Sequence, residues 1–197
     1  MIYLTFHPKK KAKAYLLFFI LLIIKSTTSL AQLPIQLRSG LIYINDGTLG
    51  RPQVSKYSIL TDSLDKNLKL HPNDTTSLFL RAILYIRLNS ITVNPDLGNK
   101  IALKNLVTGK SMAEKAITLQ MQNFMLKVLR AEFYKELTNR FMGDESWKYN
   151  NQQIIERKRQ FKNYKELANK YYDELALLDK SNAYDYQKLK VATNYPL

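Results

Sequence analysis

The fold is decided by a nine-residue stretch, Leu80-Arg81-Ala82-Ile83-Leu84-Tyr85-Ile86-Arg87-Leu88, which returns 49 residues later as Leu129-Arg130-Ala131-Glu132-Phe133-Tyr134-Lys135-Glu136-Leu137. Both copies begin Leu-Arg-Ala and carry a tyrosine three residues after the alanine. A pattern that recurs at a fixed offset indicates a repeat architecture. The first copy is apolar on nearly every face, whereas the second is amphipathic. We therefore expect the first copy to be either the buried centre of the protein or a docking surface.

Apolar residues at three- and four-residue spacing predict five helices and a short sixth after residue 53. The predicted ranges are about 53–71, 75–89, 100–120, 122–141 and 146–179, followed by a short helix from near Asn182 that Pro196 stops. Pro72 disfavours helix at the preceding residue, so the first helix ends there. Asn73-Asp74-Thr75 supplies an N-cap for the second helix.

The third predicted helix carries a stripe of small residues. Its members are Ala102, Leu106, Gly109, Ala113 and Ala116. A glycine inside a helix costs about 1 kcal/mol relative to alanine, so it needs a structural reason. We favour the close approach of a neighbouring helix at Gly109 over a helix break at that residue.

The fifth predicted helix has two series of residues at seven-residue spacing. One series is Trp147, Ile154, Phe161, Ala168 and Leu175, and the other is Tyr164, Tyr171 and Leu178. Such spacing is compatible with a coiled coil that dimerises. Coiled coils prefer leucine, isoleucine or valine at both seam positions, however. We therefore favour an extended helix that packs on neighbours in its own chain.

The first 31 residues are typical of a secretory signal peptide. Lysines precede an apolar run, Ala14–Ile24, and Ser29-Leu30-Ala31 places small residues before the expected cleavage site. An apolar run of this length spans about 16 Å as a helix, which is well short of a hydrocarbon core of about 30 Å. We therefore expect cleavage after Ala31, a periplasmic or secreted mature chain, and no integral membrane span in it.

The helix pairs around the two copies resemble the tetratricopeptide repeat (TPR) family. The residues that match its pattern are Leu68, Leu70, Pro72, Leu78, Ala82 and Tyr85 in the first copy, and Ala116, Ile117, Leu119, Ala131 and Tyr134 in the second. The family's period is about 34 residues, so the extra length here goes into longer helices and the 90–99 loop. The resemblance implies an all-α fold of antiparallel helical hairpins stacked as a short TPR-like α-solenoid. The predicted organisation is a signal peptide (1–31), an irregular N-terminal arm (32–52) and a helical TPR-like domain (53–197).

The resemblance also implies a binding face, because the first helix of each hairpin lines the concave side in that family. The partner-binding residues are then Phe79, Ile83, Ile86, Val128, Glu132 and Lys135. An apolar patch with flanking charge suits a partner's helix or extended peptide. The alternative is that the apolar members are covered by the long fifth helix or by the N-terminal arm. The arm contains an apolar plug, Leu41-Ile42-Tyr43-Ile44, which reads as a short strand or a helical turn.

The composition excludes several kinds of catalytic site. The chain has no cysteine, and His71 is the only histidine after residue 31. Disulfides, thiol catalysis and His-cluster metal sites are therefore excluded, and the scattered glycines form no phosphate-binding loop. The carboxylate pairs Asp62/Asp65 and Asp173/Glu174 lie on predicted helix surfaces near lysines, which favours solvated charges. We predict no catalytic residue, no metal and no cofactor.

Charge and export together indicate the kind of partner. The formal net charge is +14, and about +9 remains without the five lysines of the signal peptide. Export and the interspersed acidic residues argue against nucleic acid as a partner. We predict an exported, non-catalytic TPR-like scaffold of the bacterial envelope that binds a protein or peptide, for which an acidic surface is one candidate. The alternatives are a small envelope enzyme, a ligand-binding protein with a pocket between hairpins, and an electrostatic binder of an anionic surface.

Overall fold

The structure, a computed structural model, describes residues 33–45, 47, 54–92, 99–142 and 146–196. The chain divides into two compact units, Met1–Leu33 and Pro34–Leu197, and only Leu33 of the first unit is described. The predicted signal peptide and its cleavage site therefore lie outside the described residues, as do residues 46, 48–53 and 143–145 and most of the predicted 90–99 loop. The second unit contains the whole fold considered below.

The second unit is all-α apart from one small sheet. Its described residues form β1 (Ile35–Arg38), β2 (Leu41–Ile44), α1 (Ser58–Leu70), α2 (Thr75–Thr92), α3 (Lys100–Thr118), α4 (Phe124–Arg140), α5 (Asn151–Leu178) and α6 (Ala183–Leu189), with short 3₁₀ turns at Val54–Tyr57, Ser146–Lys148 and Lys180–Asn182. The helices pack in adjacent pairs, most extensively α2 on α3 and α4 on α5. The predicted all-α fold of stacked helical hairpins is confirmed.

Asparagine and aspartate side chains begin the main helices. The Asp74 carboxylate accepts a hydrogen bond from the Ser77 N–H (3.0 Å), which caps α2 within the predicted segment. The helices α3, α4 and α5 are capped by Asn99, Asn123 and Asn150. Such side chains satisfy backbone N–H groups that a helix leaves unpaired in its first turn. Local sequence therefore sets where each of these helices begins.

The helix α3 runs without a break through Gly109 and touches both neighbours there. A Cβ atom on Gly109 would lie 2.5 Å from Cζ of Phe133 in α4 and 2.8 Å from Cβ of Tyr85 in α2. Since real Cβ atoms do not approach so closely, only glycine allows this packing. The prediction of a close helix approach at Gly109 is confirmed.

The repeat in the sequence is also a repeat in the structure. Arg81 Nε of α2 donates to Asp65 Oδ1 of α1 (2.7 Å), and Arg130 Nε of α4 donates to Glu114 Oε1 of α3 (2.8 Å). The two acids lie 49 residues apart, as do the two arginines. Each copy is therefore tied to the preceding helix by the same ion pair.

The helix α5 packs within its own chain, as we favoured. Phe161, Ala168 and Leu175 are buried, and the ring of Tyr171 lies 5.3 Å from that of Tyr134 in α4. Trp147 belongs to the 3₁₀ turn before α5 and is exposed.

The chain end differs from the expectation in one respect, because α6 stops at Leu189 and Pro196 does not end it. The reason is that the chain turns extended beyond α6 and pairs with α5. There the Val191 N–H donates to Asn169 Oδ1 (2.7 Å), and the Asn169 amide donates to the Val191 carbonyl (3.1 Å).

Candidate functional site

Part of the N-terminal arm, which we expected to be irregular, is a β-hairpin. The strands β1 and β2 pair antiparallel, with Arg38 opposite Leu41. Ser39 and Gly40 connect them with φ angles of 46° and 74°. Two central residues with positive φ make a type I′ turn, which suits the right-handed twist of a hairpin. Of the two structures that the sequence allowed for Leu41–Ile44, the strand is correct.

The hairpin turn lies against the last helix. A Cβ atom on Gly40 would lie 2.9 Å from Cδ1 of Leu189 and 3.0 Å from Cδ1 of Tyr186, both in α6. Gly40 is therefore required by its backbone conformation and by this contact. The contact fixes one end of the hairpin on the helical body.

The hydrogen-bond pattern of the hairpin directs one backbone group of β2 away from β1. The Asn45 N–H donates to the Pro34 carbonyl (2.6 Å), so residues 34 and 45 are a hydrogen-bonded pair. Such pairs alternate along an antiparallel ladder. Ile42, three positions before Asn45, therefore belongs to a non-bonded pair with Leu37. Its N–H points outward from the sheet edge.

A buried carboxylate accepts this outward N–H. The Ile42 N–H donates to Glu132 Oε1 of α4 at 2.6 Å, and the other carboxylate oxygen accepts from Arg87 Nη2 of α2. Glu132 is 4% exposed and Ile42 is fully buried. A single side chain thus joins β2, α2 and α4. We call the space between α2 and α4 that β2 enters the groove.

The electrostatics of Glu132 are set by burial. Burial raises the pKa of its carboxyl group, while the Arg87 guanidinium and the Ile42 N–H act in the opposite direction. A buried carboxylate is costly unless it is paired and hydrogen-bonded, and Glu132 has both kinds of partner. Burial also lowers the pKa of the neighbouring Lys135 amine. The groove therefore holds ionisable groups in a poorly hydrated setting.

The structure places the sequence-predicted binding residues mostly inside the protein. Those that are buried are Phe79, Ile83, Ile86, Val128 and Glu132, and Lys135 is half-buried. The apolar members are therefore buried, and β2 is the part of the arm that contacts Glu132. Their binding of a partner stays a prediction. It now requires the hairpin to move aside.

A pocket of about 250 Å³ lies beside β2, and sequence reasoning missed it. Its wall includes Leu41 of β2, Arg87 and Asn89 of α2, Lys135 of α4 and Tyr172 of α5. The Tyr172 hydroxyl and the Asn89 Nδ2 have no hydrogen-bond partner among the described residues. One signal was present in the sequence: the repeat carries a glutamate at 132 where the first copy carries an apolar residue.

The described residues contain no group of three or more His, Asp or Glu side chains that could hold a metal ion. Within the same ranges, no helix has the length and apolar character needed to cross a membrane.

These features define a helical-hairpin protein whose groove is filled by a strand from its own N-terminal arm. Comparison with protein-family models, with curated proteins and with solved structures found no significant match.

Proposed function

We propose that this protein is an exported, non-catalytic, TPR-like scaffold of the bacterial envelope that binds a protein partner in the groove between α2 and α4. The partner segment is an extended apolar peptide that takes the place of β2. Export is inferred from residues 1–31, and the TPR-like character rests on the resemblance between the two repeat copies and that family.

The hydrogen bond between Glu132 and the Ile42 backbone carries this proposal. A side chain that accepts a backbone N–H recognises an extended chain independently of its sequence, while neighbouring pockets select side chains. The groove of this protein holds such a chain, with Ile42 fully buried in it. A groove that fits one extended apolar segment offers the same contacts to another.

The hairpin would compete with a partner because it belongs to the same chain. A tethered segment acts at an effective concentration of about millimolar, so it weakens the apparent affinity of any peptide for the same place. Weakening the hairpin should therefore strengthen partner binding. The substitution Ile42→Pro does this, because proline has no N–H to donate to Glu132 and does not fill the space of the buried isoleucine side chain.

The test is the binding of a labelled synthetic peptide, residues 34–45 of this chain, followed by fluorescence anisotropy. We expect the Ile42→Pro protein to bind this peptide at least ten-fold more tightly than the unchanged protein. The matched control is Arg38→Ala, which changes an exposed hairpin residue and keeps the Ile42 N–H. Equal affinities for the unchanged and Ile42→Pro proteins, or no binding by either, would contradict the proposal, provided that circular dichroism shows unchanged helicity.

A further inference from the structure

A pocket of about 270 Å³ is lined by α3, α4, α5 and the turn between α3 and α4, and no residue of the hairpin is in its wall. Apolar side chains form much of this wall: Ile117 of α3, Leu126 of α4, and Leu175 and Leu178 of α5. Leu178 is 57% exposed. Removing such apolar surface from water is favourable. The pocket therefore offers an occupant apolar surface that the fold does not cover.

The same wall carries two opposite charges that are accessible and little used by the fold. Lys127 of α4 is exposed and forms no ion pair with any described residue. Glu174 of α5 is 51% exposed and has the exposed Lys170 at 3.9 Å, a pair that contributes little and leaves the carboxylate open to other donors. Arg130, the other charged residue of the wall, is already paired with Glu114. The wall therefore presents one cation and one anion to an occupant.

The first copy shows an ammonium group bound at the equivalent turn. There Lys115 Nζ of α3 donates to the Pro72 carbonyl at 2.6 Å. The equivalent carbonyl of the second copy, 49 residues later, belongs to Met121 and accepts only from the Asn123 N–H among the described residues. Met121 lines the pocket together with Glu174. The amino group of an occupant is therefore suited to the place that Lys115 takes in the first copy.

We propose that this pocket binds a free apolar amino acid of about the size of leucine. The carboxylate of the amino acid pairs with Lys127, and its ammonium group pairs with Glu174. Its side chain lies against Leu126, Leu175 and Leu178. The amino acid is neutral overall, as are the two charges of the wall taken together.

The size and the place of the pocket both fit this occupant. Its volume is about 270 Å³, which is below the range of about 300–1,000 Å³ that is usual for drug-sized ligands. A single amino acid fills such a space. Because the hairpin contributes no residue to the wall, the pocket exists whether or not the groove is filled. This inference is therefore independent of the proposed partner binding.

The test is titration of the purified protein with L-leucine, followed by the NMR chemical shifts of backbone amides and by calorimetry. Leucinamide lacks the carboxylate, 4-methylpentanoate lacks the amino group, and alanine lacks most of the side chain. We expect saturable binding of leucine, with chemical-shift changes confined to residues around the pocket. Leucinamide and 4-methylpentanoate should bind at least ten-fold more weakly, because each leaves one charge of the site without its partner. Alanine should also bind at least ten-fold more weakly, because each buried methylene changes affinity about four-fold.

Two variants assign the charges of the site. Lys127→Met should weaken leucine binding at least ten-fold and should not weaken leucinamide binding. Glu174→Gln should weaken leucine binding at least ten-fold and should not weaken 4-methylpentanoate binding. The matched controls are Lys104→Met, at an exposed lysine of α3, and Glu166→Gln, which removes an acid that also has a lysine four residues before it. All four positions are exposed, so the melting temperature should stay unchanged and the controls should bind leucine normally.

The inference is overturned if leucine does not bind saturably, or if Lys127→Met and Glu174→Gln both leave its affinity unchanged. It is also overturned if N-acetyl-leucinamide, which carries neither charge, binds as well as leucine, because the pocket would then take a side chain from within a peptide. The Ile42→Pro protein should bind leucine with the affinity of the unchanged protein, which separates this site from the groove.

Discussion

The groove face of α2 carries Phe79, Ile83 and Ile86, and the equivalent positions of α4, 49 residues later, carry Val128, Glu132 and Lys135. Three features are shared by the two copies. Each has its alanine, its tyrosine and an arginine tied to the preceding helix. The positions that agree build the hairpins. At the compared groove-face positions, only the second copy carries ionisable groups, Glu132 and Lys135.

The difference is tolerated because the partners of Glu132 come from outside its own hairpin. Arg87 belongs to α2, and the Ile42 N–H belongs to the N-terminal arm. A buried polar group whose partners come from two other segments holds all three segments in one arrangement. We infer that the groove-face residues of the second copy bind an extended chain, whereas those of the first copy contribute to apolar packing. The following predictions test this difference, from the largest expected effect to the smallest.

Making the first copy resemble the second should have the largest effect on the free energy of unfolding. Ile83 is fully buried, and Ile83→Glu places a carboxylate there without the partners that Glu132 has. We expect a loss of about 4 kcal/mol in the free energy of unfolding, measured by urea denaturation, because the buried charge is uncompensated. Thr76→Glu, at an exposed site of the same helix, should change it little. A loss below about 1 kcal/mol for Ile83→Glu would show that the two positions are equivalent.

Making the second copy resemble the first should have a somewhat smaller effect. Glu132→Leu leaves the Arg87 guanidinium without its counter-charge and the Ile42 N–H without an acceptor. We expect a loss of about 3 kcal/mol in the free energy of unfolding. Glu132→Gln should lose less, since an amide oxygen still accepts from Ile42, and Glu132→Leu combined with Arg87→Leu should recover part of the loss. The reverse order among these variants would refute the assigned partners.

The ion pairs that the two copies share should contribute little to the free energy of unfolding, and they should contribute unequal amounts. Asp65 is 43% exposed in its pair with Arg81, so Asp65→Ala should lower the free energy of unfolding by no more than about 0.5 kcal/mol after solvent screening. Glu114 is 27% exposed. It also accepts from the Tyr134 hydroxyl at 3.0 Å, so Glu114→Ala should lower it by about 1 kcal/mol. Thermal and urea unfolding of the two variants measure the difference, and a larger loss for Asp65→Ala would be inconsistent with these contacts.

The smallest effect is a pH dependence that only the second copy has. Burial raises the pKa of Glu132 above its ordinary value of about 4.5, so folding favours its protonated form. Its contribution to stability is complete below about pH 4.5 and is lost as the pH rises through the folded-state pKa. The stability of the unchanged protein relative to Glu132→Gln should therefore fall as the pH rises from 4.5. A difference that is constant, or that grows with pH, would mean that the pKa is not raised.

The features that could be predicted from the sequence are those that depend on residues close to one another along the chain. The helix ranges, the cap near Asp74 and the close approach at Gly109 follow from spacing, capping chemistry and residue size. The pairing of Glu132 with Ile42 joins residues 90 positions apart, and no local pattern encodes it. The hairpin was predicted only in part. The apolar run at 41–44 allowed a strand, but the turn at Ser39-Gly40 and its contact with α6 depend on tertiary packing.

The most direct test of the filled groove is the hydrogen exchange of the Ile42 amide, measured by NMR. This N–H points away from β1, so only the groove can protect it. We expect it to exchange as slowly as the Tyr43 amide, whose N–H lies within the hairpin ladder, and to exchange rapidly in Glu132→Leu. If the Ile42 amide of the unchanged protein instead exchanges at the rate of an exposed strand edge while Tyr43 stays protected, then β2 is not held by Glu132 and the groove is open.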